Sequence, residues 1–301
     1  MTYPSGEQIE LVHGAHRAVL VEVGAGLREY TVDGAPVVDG YPATEMCSGG
    51  RGQTLIPWPN RIAGGAYEFD GAARQLPLTE PAAGNAIHGL TRWASWTVVD
   101  RADSSAAFRY VLHPQPGYPH TLDCRLDYAL SDAGLRVRTA VTNVGDRPAP
   151  YGTGAHPYLT VGTDTVDEVT LTVPGARYLP TDGSGIPTGT ADVQGGPFDY
   201  RAGRLIGDAK VDHCFTDLTR AADGVATVTL AGGERAVRLW LDASYRYLQV
   251  FTGDTLVPAR RRRGLAVEPM TCPPDAFRSH TGLHVLEPGR GLETTWWIGP
   301  G

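Results

Sequence analysis

Apolar and polar residues alternate with a period of two along most of the chain, in short runs separated by turn-forming clusters. Arg17 to Val23 (RAVLVEV) is short and rich in β-branched residues. Leu27 to Val38 predicts two strands around Val32-Asp33-Gly34, because Asp-Gly readily supplies the left-handed backbone of a tight hairpin. Tyr67-Glu68-Phe69 alternates into a second Asp-Gly turn at Asp70-Gly71. Leu122 to Leu130 alternates almost perfectly, turns at Ser131-Asp132-Ala133-Gly134, and resumes from Leu135 to Val144. Further on, Glu168 to Val173, Val225 to Leu230, Ala236 to Asp242, Tyr247 to Thr252 and Glu293 to Ile298 read as strands. A loop at Ala231-Gly232-Gly233-Glu234 joins the second and third of these. No apolar stripe at helical spacing runs beyond two turns.

Many short strands with frequent turns predict an all-β fold, a large antiparallel sandwich. No linker or internal repeat interrupts residues 1–301, which are expected to form a single domain. Two stretches depart from inert loop composition, Cys47 to Ala66 and Thr79 to Ser95, which carry Trp, Arg, Asn and His. Loops on a rigid β scaffold are where binding chemistry collects.

Composition narrows the partners. A formal net charge of -7 and a pI near 5.7 give no general attraction to nucleic acid or an anionic membrane. No apolar run approaches membrane-spanning length, and the N-terminus has no basic region followed by an apolar one. The four cysteines, Cys47, Cys124, Cys214 and Cys272, lie far apart without a C-x-x-C pair, so a structural zinc site or redox motif is not expected. A cytoplasmic protein with reduced thiols is the expectation.

Four polar segments stand out: Ile56 to Ile62 with Asn60 and Arg61, Asn85 to Leu90 with His88, Gly154 to Leu159 with His156, and Val267 to Phe277 with Glu268. Each histidine alone could be a buried ring satisfied by backbone partners, and Arg61 could simply tie two loops together. Glu268 follows the apolar Gly264-Leu265-Ala266-Val267 and would end a strand inside the protein. A carboxylate there needs either a salt bridge or a catalytic role. A histidine and a carboxylate can both be tuned toward pH 7, the requirement for paired general acid and base.

In chain order these segments form N-R-I…G…Y-x-F-x-G (Asn60 to Gly71), N-x-I-H-G (Asn85 to Gly89), H-P-Y (His156 to Tyr158), V-D-x-x-F (Val211 to Phe215), L-Q-V-F-T-G-D (Leu248 to Asp254) and E-P-x-x-x-P-P-D-A-F (Glu268 to Phe277). The set resembles the aldose 1-epimerase (galactose mutarotase) family from about residue 15 to the C-terminus. The resemblance implies a supersandwich with a sugar cleft on one sheet, and interconversion of the α and β anomers of a free aldohexose such as glucose or galactose without metal or cofactor. It implies Glu268 as the base on the anomeric hydroxyl, His156 as the acid on the ring oxygen, and His88 as a second active-site histidine. Arg61 and Asp212 would bind sugar hydroxyls. Asn60 falls within the motif, and Phe251 is either an apolar wall of the cleft or a core aromatic. The small-molecule partner would be a sugar, bound by a monomer or homodimer.

The sequence departs from many family members at His88-Gly89-Leu90 and Ala155-His156-Pro157-Tyr158-Leu159. With Arg92-Trp93, Trp96 and Thr271-Cys272-Pro273-Pro274, these departures resemble a bacterial subgroup of non-galactose specificity, some of whose members are linked to sulfoquinovose. An anionic sugar, sulfoquinovose or a hexose 6-phosphate, is therefore an alternative substrate, and a non-catalytic carbohydrate-binding protein an alternative role. Arg260-Arg261-Arg262-Arg263 is either a solvated charged loop or a source of one arginine for an anionic substituent.

Overall fold

The computed structural model describes residues 2–301. Strands Leu122–Ser131 and Gly134–Asn143 pair antiparallel along their full lengths, and their buried and exposed positions alternate as the sequence does. They lie inside a nine-stranded sheet in the order Thr97–Ala102, Ser105–Leu112, Leu122–Ser131, Gly134–Asn143, Gly291–Pro300, Arg235–Leu241, Ala226–Gly232, Thr170–Thr172 and Arg204–Leu205. At both Asp-Gly turns the two residues adopt left-handed conformations, φ 51° and 76° at Asp33-Gly34 and 52° and 68° at Asp70-Gly71. Those are the angles that let a two-residue hairpin follow strand twist.

A second sheet of eight strands is ordered Ala191–Asp192, Gly175–Leu179, Asp212–Leu218, Tyr247–Phe251, Leu265–Met270, Gly154–Ala155 and Thr54–Leu55, with Tyr158–Leu159 also pairing to Leu265–Met270. Val228, Leu239 and Ile298 of the first sheet join Phe215, Leu248, Val250 and Val267 of the second in one apolar core. Burying these side chains on the facing sides of two sheets is the main stabilising contribution, about 1.5–3 kcal/mol for each fully buried Val, Leu, Ile or Phe. A four-stranded sheet, Gln8–His13 to Ala35–Pro36, adds Ile9, Leu11 and Leu20 to that core.

Three details differ from the sequence expectation. Glu168 belongs to a short 3-10 turn, Val166–Glu168, and the strand that follows covers only Thr170–Thr172. The loop at Ala231 to Glu234 tightens to Gly233-Glu234, because pairing continues to Gly232 opposite Arg235. The alternation does not predict five strands of five to eight residues, Gln8–His13, Thr97–Ala102, Ser105–Leu112, Gly175–Leu179 and Asp212–Leu218. Among the described residues the one α-helix is Ala276–Ser279, and no helix is long and apolar enough to cross a membrane.

Candidate active site

Period-two geometry builds the floor of the site. Val250 and Val267 sit opposite each other and point into the core, so Gln249 and Glu268, also cross-strand partners, point to the other face. Asp212 and Phe251 face each other one strand over, on that same side. Glu268 therefore sits within Leu265–Met270, not at its end as its apolar neighbours suggested. All six residues of that strand are buried, which hides the alternation. The cleft has a volume of about 270 Å³ and is lined by Asn60, Arg61, His88, His156, Asp212, Phe251 and Glu268, so all seven sequence candidates meet in one place.

The centre of the cleft is an imidazole–carboxylate pair. His156 Nε2 lies 3.3 Å from Glu268 Oε1, and both residues are almost fully buried. The other carboxylate oxygen, Oε2, has no protein partner. His156 follows the short strand Gly154–Ala155, and its backbone N–H donates to the Gln53 carbonyl. Its ring stacks on Tyr158 at 5.1 Å and meets the His88 ring edge-on at 5.2 Å. Gly50 presses on the third side, where a Cβ would come within 2.5 Å of the imidazole, so only glycine fits. Loss of water on burial lowers the His156 pKa, with Arg51 and Arg92 adding repulsion. The same desolvation raises Glu268 well above the usual carboxylate range, with Asp212 adding to it. Burial thus disfavours the charged form of each group, and where a proton sits between them depends on what hydrogen-bonds to them.

His88 is fixed differently. The Asn60 backbone N–H donates to Nδ1 at 3.3 Å, and burial lowers the ring's pKa, so His88 is neutral with its proton on Nε2. Asn60 itself, at φ 53°, accepts from the Arg61 N–H through Oδ1, which shapes the turn entering Arg61–Ala63. Arg61 makes a two-pronged ion pair with Glu80, at 2.8 and 2.9 Å. It ties strand to loop and lines the cleft at once. Asp212, open to the cleft, accepts from Gln249 Nε2 at 2.6 Å, and its carboxyl is raised by desolvation against the opposing pull of Arg61. Phe251 is half-buried and faces the cleft, an apolar wall and not a core aromatic.

The arginine run supplies no residue to this cleft, and half of it is solvated, since Arg261 and Arg263 are exposed. Arg262 is nearly enclosed and pairs with Asp167 and Asp254, and Arg260 bonds the Gly40 carbonyl and Glu45. Arg260 and Arg263 border a larger hollow, about 990 Å³, that contains neither histidine nor Glu268. The cleft is also lined by Glu80, which the sequence did not single out, and by Arg92 and Trp93, which it offered only as marks of a subgroup. All three lie in or at the edge of the Thr79 to Ser95 stretch, whose unusual composition was the available signal.

With this geometry in hand, the family model described as aldose 1-epimerase matches residues 7–298. The chain is 37% identical to the uncharacterized protein YihR of Escherichia coli over 95% of its own length and 91% of that protein's. It is 29% identical to the galactose mutarotase of Mus musculus, over 79% of this chain and 75% of that one. The fold matches the GalM/aldose epimerase homologue from C. elegans at a TM-score of 0.86 and 21% identity, covering 97% and 98% of the two chains. It also matches the galactose 1-epimerase of Lactobacillus acidophilus at 0.79 and 21%, covering 96% and 93%.

Proposed function

The chain belongs to the aldose 1-epimerase family, and on that premise we propose that it interconverts the α and β anomers of a free aldohexose by acid–base ring opening and closure. The observation that carries this reading is the buried His156–Glu268 pair at 3.3 Å on the cleft floor. The anomeric oxygen O1 and the ring oxygen O5 are bonded to the same carbon, so an acid and a base serving both must lie this close together.

Glu268 takes the proton from the O1 hydroxyl while His156 gives its proton to O5. The C1–O5 bond breaks, C1=O1 forms, and the open chain rotates about C1–C2. Reclosure on the other face returns each proton, so the pair ends as it began. A hydroxyl donating to Glu268, with a ring oxygen accepting from His156, selects the carboxylate–imidazolium form of the pair. Neutral His88 offers a fixed Nε2–H donor to the same region. Arg61 and Asp212 supply charged partners for hydroxyls, and Phe251 supplies a surface for the C–H side of the ring. Four buried free thiols favour a reducing compartment for this reaction.

Polarimetry on freshly dissolved α-glucose and α-galactose tests the reading. The protein should speed the approach to equilibrium rotation above the buffer rate. No acceleration with either sugar, or with acidic hexoses, would remove the proposal.

A further inference from the structure

The loop from Ser48 to Gln53 is folded around His156. The His156 N–H donates to the Gln53 carbonyl, and the Gly52 N–H donates back to the His156 carbonyl at 2.9 Å. Gly50 lies against the edge of the imidazole. Between those two glycines stands Arg51, which is 2% exposed and donates from Nη2 to Asp39 Oδ2 at 2.9 Å. Its guanidinium carbon lies over the Tyr158 ring, 4.1 Å from the centroid, and that ring in turn stacks on His156 within 13° of parallel. The Tyr158 hydroxyl donates to the Gly49 carbonyl at 2.8 Å, which closes the loop onto the stack. Asp39, Arg51, Tyr158 and His156 therefore form one connected series that leads to Glu268.

Stability is a poor reason for such an arrangement. Dehydrating a buried ion pair offsets most of its attraction, and an apolar pair of similar volume would hold the loop as well. Arg51 Nε is left without a hydrogen-bond partner, a further cost. What the guanidinium does supply is a cation–π contact that fixes the Tyr158 ring, and through it the plane of the imidazole. Arg51 does not line the cleft, so it can act on a sugar only through its neighbours. We propose that Arg51, anchored by Asp39, is a positioning residue for His156, holding the Tyr158 ring so that the imidazole keeps Nε2 aimed at the reacting oxygens. Proton transfer demands that alignment, and a displacement of about 1 Å can cost about a hundredfold in rate. The fixed cation also opposes a second one on the ring, since Arg51 adds to burial in lowering the His156 pKa. The other groups facing His156 are Glu268, His88 and Tyr158, with Arg92 contributing charge from the rim. This inference rests on the epimerase reading and adds a residue outside the cleft to its machinery.

The test follows mutarotation by polarimetry as a function of pH, with a sugar that the wild-type protein turns over. Arg51→Met keeps the length of the side chain and removes its charge and planar head. Its kcat should fall about ten- to a hundredfold with KM within about twofold. Its pH profile should move to higher pH, because without the cation His156 binds a proton more readily. Arg51→Lys keeps the charge, so the profile should return to its wild-type position with part of the lost kcat. Arg51→Met leaves Asp39 unpaired, and the double variant Asp39→Asn/Arg51→Met carries the same expectation if the single variant does not fold. Tyr158→Leu removes the intermediate ring and should reproduce the loss of kcat, while Tyr158→Phe keeps that ring and should lose far less. A lowered melting temperature with unchanged kcat and pH profile is the mark of a purely structural arginine and overturns the proposal. A loss confined to KM does the same, and both results leave the epimerase reading intact. A wild-type protein that accelerates no sugar overturns both.

Discussion

His156 and His120 are both buried histidines with depressed basicity, and they live in opposite surroundings. His120 packs edge-on against Phe69 and Tyr118, neither ring nitrogen finds a partner, and desolvation first, then Arg74 and Arg147, lowers its pKa to about 4. His156 is equally enclosed but faces the Glu268 carboxyl at 3.3 Å on the floor of an open cleft. The comparison separates burial from chemistry. Desolvation alone makes a histidine neutral; the role proposed for His156 also needs a carboxylate partner and room for a substrate.

The largest test of that contrast is Glu268→Gln, which keeps the shape of the pair and removes the proposed base. Catalysed mutarotation should fall about 10³- to 10⁴-fold toward the buffer rate. His156→Gln should cost about 10²- to 10³-fold, and the double variant little more than Glu268→Gln alone, because the two act as a unit. Fully additive losses by polarimetry would mean that they work separately. Arg61→Lys loses the fork onto Glu80 and should raise KM about tenfold with a smaller change in kcat.

The smallest effect on activity is expected at His120. His120→Phe should leave turnover within about twofold of wild type and act on stability alone. An imidazole whose folded pKa is lowered from 6.5 to about 4 binds its proton more readily in the unfolded chain. The stability tied to neutral His120 is therefore complete above pH 6.5 and is lost as pH falls toward 4. Thermal melts from pH 7 to pH 4.5 should show a shallower acid decline in the variant (roughly one titrating group fewer). An unchanged decline would assign the acid sensitivity to other buried histidines.

Much of this was legible in the sequence where the signal was local. The Asp33-Gly34 and Asp70-Gly71 turns depend on two adjacent residues that tolerate positive φ, and they fold as read. Alternation exposed Leu122–Ser131 because one face is solvated. It failed at Thr97–Ala102, an edge strand with almost no buried face, and at Leu265–Met270, which is buried on both. The seven cleft residues were recoverable because each sits in a short motif. The pairings of Arg61 with Glu80 and of Arg51 with Asp39 were not, since contacts between distant segments leave no mark on local spacing. Arg260 to Arg263 show the converse: four consecutive like charges look like one feature, yet Arg260, Arg262 and Arg263 go to different partners and Arg261 stays exposed.

Glu268, Gln249 and Asp212 stand on adjacent strands whose opposite faces fill the core, whereas Arg92 and Trp93 stand on a connecting loop. A one-residue insertion in Leu265–Met270 would turn Val267 into the cleft and Glu268 into the interior, so the reactive pair tolerates no change in spacing. The loop has no such register to keep. Insertions or exchanges in residues 79–95 can therefore remodel the rim of the cleft while the proposed acid–base pair on the sheet keeps its register.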